Sequence, residues 1–151
     1  MKKLSSLFMI ILGVFVVSSV FASESYLEVQ EHTQLGQYLT DLDGKTLYIF
    51  TNDVAGEGTS ACYGGCAGAW PPYLIDAAEI TEEEALSGQL SVVTRTDGTH
   101  QLAYNGMPLY YFAGDTKAGD TTGHEVGGVW FVASYEPADA EASAYDYGNY
   151  Y

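Results

Sequence analysis

Cys62 and Cys66 are the only cysteines in this 151-residue chain, and three residues separate them. Thiols this close form a small disulfide in an oxidising compartment, cycle as a redox pair, or hold a soft metal ion. A bridge across so few residues removes little unfolded-chain entropy, so its use would be to rigidify the Gly64-Gly65 turn and aim Trp70. The first reading is a structural disulfide. The pattern C-x-x-C-H is absent, so covalent haem attachment is not indicated.

Copper is the cofactor to weigh against none. Its candidate ligands are Cys62, Cys66, His32, His100, His124 and Met107, while Met9 falls in the amino-terminal leader. A blue-copper site needs Cys, His and Met clustered on one loop, and that pattern is missing. An internal offset of 62 residues does place Cys62 opposite His124, so a thiol and an imidazole could occupy corresponding loops. Asp53 and Asp115 are a second pair in the same relation. A carboxylate where a strand gives way to a loop most often accepts main-chain N–H bonds, with metal binding a weaker alternative. Nothing in the sequence sets the two face to face as a glycosidase pair. There is also no G-x-S-x-G elbow, H-E-x-x-H, P-loop or dinucleotide fingerprint, so the first expectation is a protein without enzymatic activity.

The elements that position these residues come in two copies. Asp43-Gly44-Lys45-Thr46-Leu47-Tyr48-Ile49-Phe50-Thr51-Asn52-Asp53 returns as Asn105-Gly106-Met107-Pro108-Leu109-Tyr110-Tyr111-Phe112-Ala113-Gly114-Asp115, which is [DN]-G-x-x-L-Y-x-F-x-x-D at constant offset. A repeat kept in register implies two supersecondary units that bury their apolar faces on each other. Strands are expected over 26–32, 35–41, 45–51, 95–96, 100–104 and 107–113, with Asp-Gly and Asn-Gly turns that tolerate positive φ. Closing strands that carry Trp70 and Trp130 are expected over 69–75 and 128–135. Tyr48 and Phe50 share one strand face, Leu47 and Ile49 the other, and Tyr110 with Phe112 repeats this. Two apolar faces mark a central strand, so packing is the first reading and an aromatic ligand platform the second.

Outside the repeats, Lys2 and Lys3, an apolar run from Leu7 to Val17 and small residues ending at Ala22 read as a secretory signal peptide over 1–22. The apolar run is too short to span a bilayer and no second one follows, so no membrane span is expected after cleavage. Thr81 with Glu82, Glu83 and Glu84 begins a short connecting helix that stops at Gly88. After Pro137 an acidic, Tyr-rich tail over 137–151 is expected to be disordered. Five Lys and Arg stand against 20 Asp and Glu, and two of the five belong to the leader. Such a surface repels phosphate backbones, which excludes nucleic acid as a partner.

The tandem Tyr48-Ile49-Phe50-Thr51-Asn52-Asp53 and Tyr110-Tyr111-Phe112-Ala113-Gly114-Asp115, with Cys62-Tyr63-Gly64-Gly65-Cys66-Ala67-Gly68-Ala69-Trp70-Pro71-Pro72 between them, resembles a secreted repeat family of predicted bacterial lipoproteins. The resemblance covers about Leu35 to Tyr135. It implies a cell-envelope protein and assigns no mechanism. The chain departs from the lipoprotein pattern in having no cysteine at the expected cleavage point, so lipid anchoring is not expected.

The resulting expectation is an all-β domain over 23–136, in which repeat one (about 35–75) and repeat two (about 95–135) pack as one small sandwich or barrel-like unit. Its location is periplasmic or secreted. Its function is binding or interaction with an envelope or extracellular partner, and the alternative is a redox or copper-handling role centred on Cys62 and Cys66.

Overall fold

Within the computed structural model, residues 26–76 and 90–136 are described here. The stretches expected to form a signal peptide (1–22), a connecting helix (81–88) and a disordered tail (137–151) lie outside them.

Each repeat begins with an antiparallel hairpin. β1 (Glu28–His32) pairs with β2 (Gly36–Thr40), with Glu28 opposite Thr40 and His32 opposite Gly36. β4 (Leu90–Thr94) pairs with β5 (His100–Tyr104) in the corresponding way, from Leu90 opposite Tyr104 to Thr94 opposite His100. The sequence reading set this strand at 95–96. The β-branched run Val92-Val93-Thr94 carries it instead, and Arg95 already belongs to the turn, where its carbonyl accepts from Gly98 N at 2.9 Å. Asn105 and Gly106 then turn at φ 50° and 78°, the pair of positive angles that an Asn-Gly hairpin turn requires.

The motif strands lie at the centre. β3 (Tyr48–Phe50) and the segment 108–112, which begins in β6 (Met107–Pro108), meet where Tyr48 N donates to Tyr110 O at 2.8 Å and Tyr110 N to Tyr48 O at 2.9 Å. One antiparallel bridge thus joins the two copies at equivalent residues, as a local two-fold axis would.

The closing segments cross over. β7 (Trp130–Val132) belongs to repeat two but pairs with β3 of repeat one, Tyr48 opposite Val132 and Phe50 opposite Trp130. Beyond it, Leu39 N donates to Ala133 O at 2.8 Å and Ala133 N to Leu47 O at 2.8 Å, so the segment wedges between β2 and β3. In the other half, Tyr73 N donates to Leu109 O at 2.9 Å and Leu102 N to Tyr73 O at 2.9 Å, so the 71–75 segment wedges between β5 and the second motif strand. The expected strand there starts later than Ala69, because Gly65–Ala69 forms one helical turn, α1. Each repeat is completed by a strand from its partner. The result is an all-β, sandwich-like unit of small antiparallel sheets rather than a closed barrel.

Alternation sorts the central strands onto two interiors. Leu47, Ile49, Leu109, Phe131 and Ala133 pack on one side with Leu39 and Leu102. Tyr48, Tyr110, Trp70, Trp130 and Val132 pack on the other. Both faces of β3 are therefore covered, as a central strand with apolar residues at successive positions demands.

Candidate functional site

Between the two central strands and their loops, each motif phenol reaches the motif carboxylate of the other copy. Tyr48 Oη donates to Asp115 Oδ2 at 2.6 Å, and Tyr110 Oη donates to Asp53 Oδ2 at 2.6 Å. These lengths are those of charge-assisted O–H···O⁻ bonds. The second carboxylate oxygen of each Asp ties down a loop: Ala61 N donates to Asp53 Oδ1 at 2.6 Å, and Thr122 N donates to Asp115 Oδ1 at 3.0 Å. Burial pushes both phenols well above their ordinary range, and the carboxylate beside each adds to the shift. Burial also raises Asp53, against the pull of Tyr110, Ala61 N–H and the nearby Arg95.

Those loop contacts equate Ala61 with Thr122, so Cys62 stands opposite Gly123 and not opposite His124 as the constant offset suggested. The reason is one residue of difference in loop length. Gly123 is needed because a Cβ there would lie 2.8 Å from the Trp70 ring and 2.9 Å from that of Tyr48. His124 is instead a local brace, its Nδ1 accepting from Val132 N at 3.2 Å and its ring meeting Phe131 edge-on.

Four aromatic rings form one continuous stack, Phe50–Trp130–Trp70–Phe112, with centroid separations of 4.2, 3.9 and 4.3 Å. The two indoles are nearly parallel at 3° and each is 5% exposed, with a Phe at either end. Tyr48 meets Trp70 edge-on at 5.4 Å and Tyr110 meets Trp130 edge-on at 5.2 Å. The buried indole pair is interior packing, while Phe112 at one end of the stack is half-buried and reaches the molecule's surface.

Cys62 and Cys66 are joined as a disulfide, with Cα atoms 5.3 Å apart. The bridge ties the Ser60–Cys62 segment to α1. At the end of that turn Trp70 N donates to Cys66 O at 2.7 Å, which fixes where the Trp70 ring enters the stack. Among the described residues no cluster of three His, Cys, Asp or Glu side chains has metal-ligating proximity. Met107 packs with Leu27 and Leu39 in the aliphatic interior, Cys62 lies in the aromatic one, and His100 stands opposite Thr94 on the second hairpin. His32 Nδ1 accepts from Gln34 N and Leu35 N in the first hairpin turn.

Arg95 was legible only as one of few basic residues. Its guanidinium is buried, donates to Ser60 Oγ at 3.1 Å, Gln101 Oε1 at 2.7 Å and Cys62 O at 2.8 Å, and lies 4.3 Å from the Tyr63 ring centre. Ser60 Oγ also shares a 2.8 Å hydrogen bond with Tyr110 Oη. Arg95 therefore supports Tyr110 and Asp53 from behind, and among the described residues Tyr48 has no matching cation.

A further feature is an open cleft of about 220 Å³ lined by Lys45, Thr46, Tyr111, Phe112, Asp115, Thr116 and Lys117. Lys45 Nζ lies 5.9 Å from the Tyr111 ring centre, and Tyr111 Oη donates to Asp41 Oδ2 at 2.9 Å. The sequence reading did not single out this place, because Lys45 and Lys117 are 72 residues apart. They are brought together by a crossed turn contact in which Gly119 N donates to Gly44 O at 3.0 Å.

The model of a secreted repeat of unknown function, Lipoprotein_15, matches residues 31–73 and 91–134. The chain belongs to this family of secreted repeats. The two matched stretches coincide with the two hairpin, loop and closing-strand units of the structure. Comparison with curated proteins and with solved structures gave no match. Among the described residues no helix is long and apolar enough to cross a membrane.

Proposed function

We propose that this member of the secreted repeat family is a non-enzymatic binding module of the periplasm or the external medium, and that its ligand enters the cleft at Lys45, Tyr111 and Lys117. The observation that carries this reading is the internal use of the motif. Tyr48, Asp53, Tyr110 and Asp115 already satisfy one another across the repeats, so their polar groups are taken up inside the fold rather than held open to a bound ligand. The cleft differs in being open and in holding ammonium groups, although Asp115 also lines it and Lys117 Nζ lies 4.0 Å from Asp120 Oδ1. In a chain with formal charge −15 it collects two of the three described basic side chains beside the Tyr111 and Phe112 rings. A small anion with a flat apolar part fits that lining: the ammonium groups hold its charge and the rings take its face. Nucleic acid stays unfavourable, because the charge of the whole surface opposes a long phosphate backbone.

Amide chemical-shift mapping of the ¹⁵N-labelled protein with benzoate and phenyl sulfate tests this. Shifts at Lys45, Tyr111 and Lys117 that vanish in a K45A/K117A variant are expected. Hydrolysis of a polysaccharide or peptide substrate that D53N or D115N abolishes would overturn the reading in favour of an enzyme. A bridge that glutathione reduces readily, or copper bound in proportion to the Cys62 and Cys66 thiols, would favour the redox or copper-handling alternative.

A further inference from the structure

Of the five Tyr and Trp side chains buried in the aromatic interior, the fifth being Tyr38, four are in successive ring contact. Tyr48, Trp70, Trp130 and Tyr110 follow at centroid separations of 5.4, 3.9 and 5.2 Å. Electron exchange between rings at van der Waals distance is fast, so an electron removed from any of the four can be replaced by the next. Phe50 and Phe112, which resist oxidation, close both ends of the indole pair.

A phenol that loses an electron becomes a strong acid and must give up its proton. Both terminal phenols point at a base in place for it, Asp115 and Asp53, each at 2.6 Å. Tyrosines elsewhere in the fold are satisfied in both ways, by carbonyls and by a carboxylate. Tyr73 and Tyr104 donate to neutral main-chain carbonyls, Tyr26 O at 2.8 Å and Glu136 O at 2.9 Å. Tyr111 has a carboxylate partner, Asp41 at 2.9 Å, but its ring neighbour is Tyr73 and not an indole. A carboxylate removed from water costs more to bury than a carbonyl, and Asp53 is 7% exposed. At the indole pair Tyr110 carries that cost through Asp53, as Tyr111 does elsewhere through Asp41 at 8% exposed, whereas Asp115 beside Tyr48 is half-buried.

We propose that Tyr48, Trp70, Trp130 and Tyr110 form a one-electron relay that quenches oxidising radicals outside the cytosol. The oxidant is a diffusible one-electron acceptor. It takes one electron from an indole of the pair and is reduced by one electron. The indole recovers that electron from Tyr48 or Tyr110, whose O–H bond breaks. The proton forms a new O–H bond on Asp115 or Asp53, which leaves a neutral phenoxyl radical beside a neutral carboxylic acid. A one-electron donor reverses the step and returns the proton to the phenol.

Flash photolysis with photogenerated tris(bipyridine)ruthenium(III) as the oxidant tests the relay on the full chain. The tryptophan radical is expected to decay at the rate at which the tyrosine radical grows, independent of protein concentration. In a D53N/D115N variant, whose amides accept the hydrogen bond but not the proton, that growth should slow by about a hundredfold, the lower range of what a positioned base contributes. In Y38F/Y48F/Y110F, which also removes the third phenol of this interior, the hole should remain on indole. Circular dichroism of each variant verifies its fold, and the concentration test on the wild-type protein needs no substitution. A transfer rate that scales with protein concentration, or a rate unchanged in correctly folded D53N/D115N, would overturn the relay.

Discussion

Tyr48 and Tyr110 exchange a pair of main-chain hydrogen bonds, 2.8 and 2.9 Å, while their hydroxyls part to opposite loops. The same residue type at the same place in both repeats therefore performs two tasks: its backbone joins the copies and its side chain fastens the far loop of the other. The turns repeat the pattern. Gly44 O accepts from Gly119 N, and Gly106 O accepts from Gly56 N, both at 3.0 Å. Strands, phenols and turns all cross, so neither repeat holds a complete interior alone.

Glycine at the crossing should be intolerant. Gly123→Ala places a methyl against Trp70 and Tyr48 and should cost about 1 to 3 kcal/mol, the usual price of overpacking. Gly68→Ala, in α1 with open space around its Cβ, should be neutral or stabilising by up to about 1 kcal/mol. Urea unfolding of the two variants measures the contrast, and equal midpoints would contradict it.

Alkali should unfold the protein in one step. Tyr73 is pushed up to about 12 by burial, and Tyr48, Tyr104, Tyr110 and Tyr111 are raised by the same cause. The folded state thus holds these protons more tightly than the unfolded chain. Their stability is complete below about pH 10, the unfolded phenol value, and is lost as pH climbs through the raised values. Tyrosinate absorbance and circular dichroism should change together above that pH. Buried tyrosines that ionise near pH 10 with the fold intact would contradict the burial.

Of the architecture, what was legible depended on range. The Asp-Gly and Asn-Gly turns, the two-faced strand at Tyr48 and Ile49, and the pairing of copies all follow from periods of two residues and one constant offset. The exchange of closing strands does not, because Trp70 and Trp130 look alike and nothing local tells each which hairpin to join. The helical turn at Gly65–Ala69 escaped notice because two glycines and a cysteine argue against helix, whereas the disulfide and the Cys66 carbonyl to Trp70 bond hold it. Asp53 and Asp115 were legible as loop anchors, but not as partners of the opposite tyrosines. Arg95 and the Lys45–Lys117 cleft depend on contacts between distant residues, which spacing does not encode.

Reduction of the Cys62–Cys66 bridge should weaken the fold without abolishing it. Only a short loop is closed, so the loss should be about 2 kcal/mol. Cys62 is fully buried and Cys66 half-buried, so attack on the native bridge is confined to the Cys66 sulfur and reduction should speed up in denaturant. Mass spectrometry of alkylated thiols with and without urea reads both rates. Equal rates would contradict this placement.

Double-mutant cycles across the repeats test the interlock most directly, with Y48F against D115N and Y110F against D53N, read by urea unfolding. Crossed repeats predict coupling of about 1 to 3 kcal/mol in each of these pairs and additivity for Y48F with D53N, whose groups do not meet. Coupling within a repeat, with the crossed pairs additive, would contradict it.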